Sequence, residues 1–231
     1  MRWADTFAES VRVRGWAVTE PLVPQSVIGE LVASLAGDAP GPLRGGVRNL
    51  LDLPGVTRLA QSDPVRGVAA AVLGPECFAV RGLLFDKQPD ANWKVPWHQD
   101  LTIAVRERRD VEGFGPWSAK AGVTHVQAPP EVLARMLCVR VHLDDCGPGN
   151  GPLRLLPGSH ESGVLRPPQV ETRVAGRATE TGVAEAGSIL AFRPLLLHAS
   201  SAATAPSHRR VVHLDFAATE LPAGLHWHWR V

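Results

Sequence analysis

The chain has 231 residues, a formal net charge of +1 and 45% hydrophobic residues. This balance supplies neither a basic footprint for nucleic acid nor an acidic solvating tail, and it affords a sizeable core in a single domain spanning residues 1–231. Three cysteines (Cys77, Cys138 and Cys146) without a CxxC pair argue against a disulfide scaffold or structural zinc and for a reducing cytoplasm; no run reaches the roughly 18 apolar residues of a membrane span, so neither a membrane nor a nucleic-acid partner is expected.

In chain order, PQSVIGELVASLA at 24–36 carries apolar residues at helical spacing and predicts an amphipathic helix. Residues 37–55, rich in Gly and Pro, read as a loop. Asp63 as N-cap and Pro64 at the first helical position open a second helix that stops at Gly74, which closes a helical N-terminal part of about 1–74. From about 75 to 217 the character changes. CFAVRGLLFDKQ, MLCVRVHLDD, GSILAFRPLLLHAS and RRVVHLDFAA are short β-rich runs bounded by turn residues, the pattern of a sandwich or barrel. Two longer segments, about 104–130 and 161–186, read as a mobile rim of lids or binding loops. The terminal His226-Trp227-His228-Trp229 alternation predicts a strand with its tryptophans packed and its histidines exposed.

The chemistry begins at Trp97-His98-Gln99-Asp100. On a strand, residues two apart share a face, so His98 and Asp100 can meet one metal ion. His198, at the end of ILAFRPLLLH, adds a second imidazole from a facing strand. Two histidines and one carboxylate leave open coordination positions, the arrangement of non-haem Fe(II) oxygenases. Arg209 follows His198 by eleven residues. A hairpin between them returns the chain beside its own start and places a guanidinium where it can grip the far carboxylate of 2-oxoglutarate in bidentate fashion. Ser200 shares the face of His198 and can donate to the same carboxylate.

WHQD, then NGPLRLLPGSH at 150–160, then His198 with Arg209 eleven residues later, in that order, resembles the phytanoyl-CoA dioxygenase family. The resemblance spans roughly residues 75–217. It implies an all-β double-stranded β-helix (jelly roll, cupin-like) with flanking N-terminal α-helices. It implies a hydroxylase that binds Fe(II) through His98, Asp100 and His198, takes 2-oxoglutarate and O2 as co-substrates, anchors the former on Arg209, and acts on a small molecule. A polar residue on the strand before the HxD, Lys87 or Gln88, is implied as a further co-substrate contact. Family halogenases replace the metal-binding aspartate, so Asp100 favours hydroxylation. The sequence departs from its relatives in reading AATAP between His198 and Arg209, in lacking tyrosine, and in being short for the family.

Other polar residues carry plainer readings. The Asn150-Gly151 and Pro157-Gly158 pairs suit tight turns that shape the barrel beside the metal, with Ser159 and His160 as caps. Arg140 and His142 share a strand face and line a substrate pocket if that face points inward. Arg154 meets an anionic substrate or lies on the surface. Trp93, Trp97 and Trp117 suggest an aromatic pocket wall. His125 falls in the long loop, His208 on the surface, His213 in strand packing, and Asp144-Asp145 at a strand-end turn. Two competing classes share the same residues: a jelly-roll sensor that binds metal and ligand without turnover, and a zinc enzyme or cupin-type isomerase.

Overall fold

The computed structural model describes residues 3–38 and 46–231. Its centre is a five-stranded antiparallel sheet in the order β1 (Trp16–Val18), β10 (Ile189–Phe192), β7 (Met136–His142), β12 (Arg209–Ala217), β2 (Phe78–Lys87). A four-stranded sheet, β3 (Val95–His98), β11 (His198–Ser200), β8 (Leu153–Leu155) and β9 (Glu180–Gly182), completes the two layers. This is the jelly roll that the sequence predicts.

Each strand of the larger sheet divides its residues by parity. One parity, including Leu137, Val139, Val141, Val212 and Leu214, packs under the N-terminal helices. These are α1 (Trp3–Arg14), α2 (Gln25–Asp38), α3 (Pro54–Gln61) and α4 (Asp63–Leu73). In α2, Ile28, Leu31 and Leu35 recur at helical spacing and are buried. α4 begins at Asp63 with Ser62 as its N-cap, one residue earlier than predicted, and ends at Gly74 with φ +92°, a conformation that glycine adopts without penalty. Covering one face of the sheet with helices leaves the other parity to face the smaller sheet. That parity carries Arg81, Cys138, Arg140, His142, Arg209, His213 and Asp215, all buried. So many buried polar groups need partners or ligands.

Several expectations change. α1 and β1 arise in an N-terminal stretch for which the sequence predicts no element. Within the expected loop at 37–55, residues 39–45 lie outside the described residues, while Leu50–Asp52 forms a 3-10 turn and α3 starts at Pro54. The segment at 104–130 carries β-structure: β4 (Thr102–Val105), β6 (Val123–Gln127) and β5 (Trp117–Lys120) form a third antiparallel sheet. Its apolar side, with Ile103, Val105 and Val126, packs on Phe78, Val80 and Trp227. His125 therefore sits on a strand, 2% exposed, and not in a loop. The segment at 161–186 holds a helix, Pro167–Val174, and β9. At the C-terminus Trp227 and Trp229 are buried and His226 is exposed. The expected strand is reduced to a bridge between Trp227 and Val105, and His228 is half-buried.

Candidate metal centre

β3 and β11 run antiparallel with His98 and His198 as register partners and an irregularity between His198 and Ser200. β3 ends at His98, so Asp100 lies just past the strand, its backbone N–H donating to Pro194 O at 2.9 Å. Gln99 fixes this bend from the opposite side. Its Nε2 donates to Leu195 O (2.7 Å) and Gly163 O (2.8 Å), and its Oε1 accepts from Leu165 N–H (2.8 Å). The middle residue of HQD thus ties the candidate ligand pair to two neighbouring segments, a role that the tripeptide alone does not disclose.

His98, Asp100 and His198 each offer one ligand atom, all within 4.8 Å of one another. His98 Nε2 lies 3.8 Å from Asp100 Oδ1, and His198 Nε2 lies 3.7 Å from Asp100 Oδ2. Each imidazole places Nδ1 2.9 Å from a backbone carbonyl, Pro96 O and Leu196 O respectively. A carbonyl only accepts, so Nδ1 carries the proton and Nε2 presents a lone pair toward the cluster. Burial, then His98, pushes the His198 pKa down to about 3, which keeps the ring neutral. His198, His213, His98 and Arg81 together outweigh the cost of burying Asp100 and hold its carboxyl well below the usual range. The donor set fits a divalent cation such as Fe(II).

Asp100, Cys138 and His213 form an overlapping cluster, but its chemistry does not suit a metal. Burial and the neighbouring carboxylates push the Cys138 thiol up, so it stays protonated, with Sγ 3.7 Å from Asp100 Oδ2. Both His213 nitrogens are engaged: Nε2 with Asp215 Oδ1 (2.9 Å) and Nδ1 near Arg140 Nη1 (3.3 Å). Asp215 in turn accepts from Arg81 Nε at 2.5 Å. This Arg81–Asp215–His213 chain lies under the candidate ligands. His213, expected to be simple strand packing, belongs to it and lines the cavity.

The cavity, about 200 Å³, is walled by His98, Asp100 and His198 together with Ser200, Arg140 and Arg209. Arg209 is 3% exposed. Its Nη1 donates to Gly151 O at 2.7 Å, and its Nε is buried without a protein partner. A buried guanidinium with an unused edge fits a carboxylate of 2-oxoglutarate. Gly151 belongs to the NGPL stretch and has φ +61°; a Cβ there would lie 2.8 Å from Ser201 O. The motif is therefore a turn, as expected, and its tight backbone supplies the carbonyl that holds Arg209. Lys87, opposite Arg209 in the β2–β12 register, donates from Nζ to Ser200 Oγ (2.9 Å) and to Ser201 O. Burial, then Arg209, lowers its pKa to about 8.

The remaining candidates divide. Gln88, one residue past the end of β2, does not line the cavity; Lys87 stands behind Ser200 and is not itself part of the wall. Arg140 lines the cavity, whereas His142, on the same face and 2% exposed, lies beyond the wall. Trp97 packs on the outside against Leu156, Val170 and Leu197, under the guanidinium of the exposed Arg154; Trp93 is the tryptophan in the wall. Ser159 caps as expected, donating to Leu156 O (2.7 Å) and accepting from Leu197 N–H (2.8 Å). Asp144 holds Arg210 (2.6 Å) and His208 holds Asp86 (2.9 Å), both away from the cavity.

Fold and site together define a jelly-roll protein with a two-histidine, one-carboxylate cluster beside a buried arginine. A model of the phytanoyl-CoA dioxygenase (PhyH) family matches residues 45–211, and the chain belongs to that family. L-proline trans-4-hydroxylase of Streptomyces griseoviridis is 28% identical over 193 residues, covering 72% of this chain. The chain spans 64% of that relative's length. Among solved structures, apo EctD from S. alaskensis superposes with a TM-score of 0.69 at 20% identity, covering 94% of this chain and 79% of EctD. The epimerase SnoN, in complex with Fe3+, alpha ketoglutarate and nogalamycin RO, superposes with a TM-score of 0.69 at 16% identity, covering 93% and 83%. These likenesses establish the shared fold. No helix among the described residues is long and apolar enough to cross a membrane.

Proposed function

We propose that the chain is an Fe(II)- and 2-oxoglutarate-dependent oxygenase that hydroxylates a C–H bond of a small molecule. The observation that carries this reading is the convergence in one cavity of three metal-ligand atoms and a buried guanidinium with an unused edge. His98, Asp100 and His198 would hold the iron. Arg209, with the Ser200 hydroxyl, would take the far carboxylate of 2-oxoglutarate, and Lys87 would orient Ser200 from behind.

Iron and the keto acid, when bound, supply O2 activation coupled to decarboxylation to succinate and carbon dioxide. The chain's residues prepare the place. Asp100 stays ionised, His198 is held neutral, both histidines direct Nε2 toward the cluster, and Phe192, 4.6 Å from the His198 ring, shields the buried side from water. The family supports this reading, as do the name of the proline hydroxylase and the iron and alpha ketoglutarate bound by SnoN. The cavity volume and EctD's 5-hydroxyectoine complex are in keeping with a small substrate. Three buried free thiols suit a reducing cytoplasm.

The test needs no substrate. Fe(II) and then 2-oxoglutarate are added to metal-free protein without oxygen, and the visible charge-transfer band of a chelated keto acid is sought. The band is expected in the native protein and not in His98→Ala. Iron binding by folded protein with no band on adding 2-oxoglutarate would instead support the sensor or zinc-enzyme readings.

A further inference from the structure

We propose that the cavity carries, at the end away from Arg209, a seat for a substrate carboxylate formed by Arg48, Lys120 and Arg81, and that the substrate is accordingly a small organic acid. The inference rests on Arg209 being the anchor of 2-oxoglutarate, which leaves the other cations without that role.

The two ends are set by β2. Its inward residues are Arg81, Leu83, Phe85 and Lys87, and Lys87 pairs in register with Arg209. Arg81 comes six residues earlier, about 20 Å along an extended strand. One cationic pole thus surrounds Arg209, and the other surrounds Arg81, with Leu83 and Phe85 between them. At the second pole Lys120, at the end of β5, donates to Thr102 Oγ1 at 3.0 Å, while Arg81 donates to Thr102 O at 3.0 Å. Arg48 approaches from the stretch between Val47, which bridges to Leu84, and the 3-10 turn at Leu50.

Arg81 is neutralised by Asp215. Among the described residues, neither Arg48 nor Lys120 has a carboxylate partner. Each titrates below its ordinary range, Lys120 through burial and then Arg81 and Arg48, which outweigh the opposing Asp100, and Arg48 through burial and then Arg81. Like charges gathered in a partly desolvated wall raise the free energy of the empty cavity, and a bound anion relieves it. Arg48, Arg81, Lys120, Arg140 and Arg209 line the cavity, against Asp100 as its lining carboxylate. A divalent metal and the two carboxylates of 2-oxoglutarate cancel one another, so co-substrate binding leaves the second pole uncompensated. Leu83 and Phe85, which line the cavity between the two poles, would take the hydrocarbon part of the molecule.

The experiment uses Mn(II)-loaded protein without oxygen, comparing the native chain with the Arg48→Gln/Lys120→Gln double variant. Affinity for 2-oxoglutarate is measured first by calorimetry. With 2-oxoglutarate saturating, propanoate and its neutral isostere propanamide are then titrated by saturation-transfer NMR. The expected result is saturable propanoate binding, at least about tenfold tighter than propanamide, with that preference lost in the double variant. 2-Oxoglutarate affinity is expected to stay within about twofold in both proteins. Equal binding of the two probes by native protein, or an undiminished preference in the variant, overturns the inference. A parallel loss of 2-oxoglutarate affinity in the variant also overturns it, since the cations would then serve the co-substrate. Failure of the native protein to bind 2-oxoglutarate at all would instead sink the co-substrate reading, a separate outcome.

Discussion

His98 and His198 are register partners across β3 and β11, with ring centroids 4.2 Å apart. The two lie far apart in sequence, yet backbone pairing alone brings their imidazoles together. Asp100 reaches the same point because Gln99 is tied down on the far side. Substituting Gln99→Ala is expected to spare the ligand atoms but loosen their placement. Fe(II) affinity should fall about 10- to 100-fold, the usual effect of losing a group that orients ligands. Equilibrium dialysis of both proteins checks this, and unchanged affinity would refute the role of Gln99.

Arg209→Ala removes a buried guanidinium that lines the cavity and whose Nε has no protein partner. Deleting one partner of a buried, charge-assisted bidentate pair costs about 2–5 kcal/mol. Calorimetry of the Mn(II) protein should therefore show at least about 30-fold weaker 2-oxoglutarate binding. Metal affinity should change less than about threefold, and an equal loss of both would count against the anchor role.

Gly151 and Gly158 both have positive φ, but only Gly151 is crowded: an alanine Cβ there would sit 2.8 Å from Ser201 O and 3.1 Å from Lys87 Nζ. Gly158→Ala meets open space and should cost about 1 kcal/mol from the left-handed backbone alone. Gly151→Ala should cost more, roughly 2–4 kcal/mol by urea unfolding, and also weaken 2-oxoglutarate binding by displacing the carbonyl that holds Arg209.

Arg81 and Asp215 form a buried ion pair at 2.5 Å, with side chains 9% and 3% exposed. Removing one partner strands the other charge, at a cost of about 3–5 kcal/mol. Asp215→Asn should lower the urea midpoint accordingly, and Arg81→Gln by a comparable amount. Either variant unfolding like the native protein would show that the pair contributes little.

Burial lowers the pKa of His125 to about 4 and that of His142 to about 3. In the unfolded chain each titrates near about 6.5. Below that value the unfolded state binds protons that the folded state refuses, so stability falls as the solution is acidified. The loss should begin near about pH 6.5 and approach about 1.4 kcal/mol per pH unit for each histidine until its folded pKa is reached. Urea titrations at about pH 7 and about pH 5 measure the slope, and His125→Gln should make it shallower by one proton's worth. An unchanged slope would mean that His125 is protonated in the folded protein.

The parts of the site that sequence discloses are those whose geometry is local. His98 and Asp100 are two residues apart, and His198 and Arg209 sit at the end and start of runs with plain strand character. The helices α2 and α4 carry periodicity and punctuation of their own. What stays hidden depends on long-range pairing. His213 reads as filling because Arg81, which closes around it through Asp215, comes from a different strand. Trp97 and Trp93 have equal claims on paper, but Trp97 lies on β3 and Trp93 in the coil before it, so strand parity does not relate them. The β4–β6–β5 sheet reads as a lid because its short strands, rich in Gly and Pro at their borders, resemble loops when taken singly. Arg48 and Lys120 carry no motif at all, and they gain meaning only from standing beside Arg81.

The antiparallel register of β3 and β11 also has a temporal consequence. During synthesis, His98 and Asp100 are made long before His198, and Arg209 follows later still. Until β11 and β12 have emerged and docked between strands already made, the chain presents only part of the proposed ligand set. With the ligands proposed above, ion uptake would be deferred to the last stage of assembly, when non-local strands finally close. A nascent chain would hold a redox-active ion too weakly to be damaged by it, and iron would act as a reporter of completed folding.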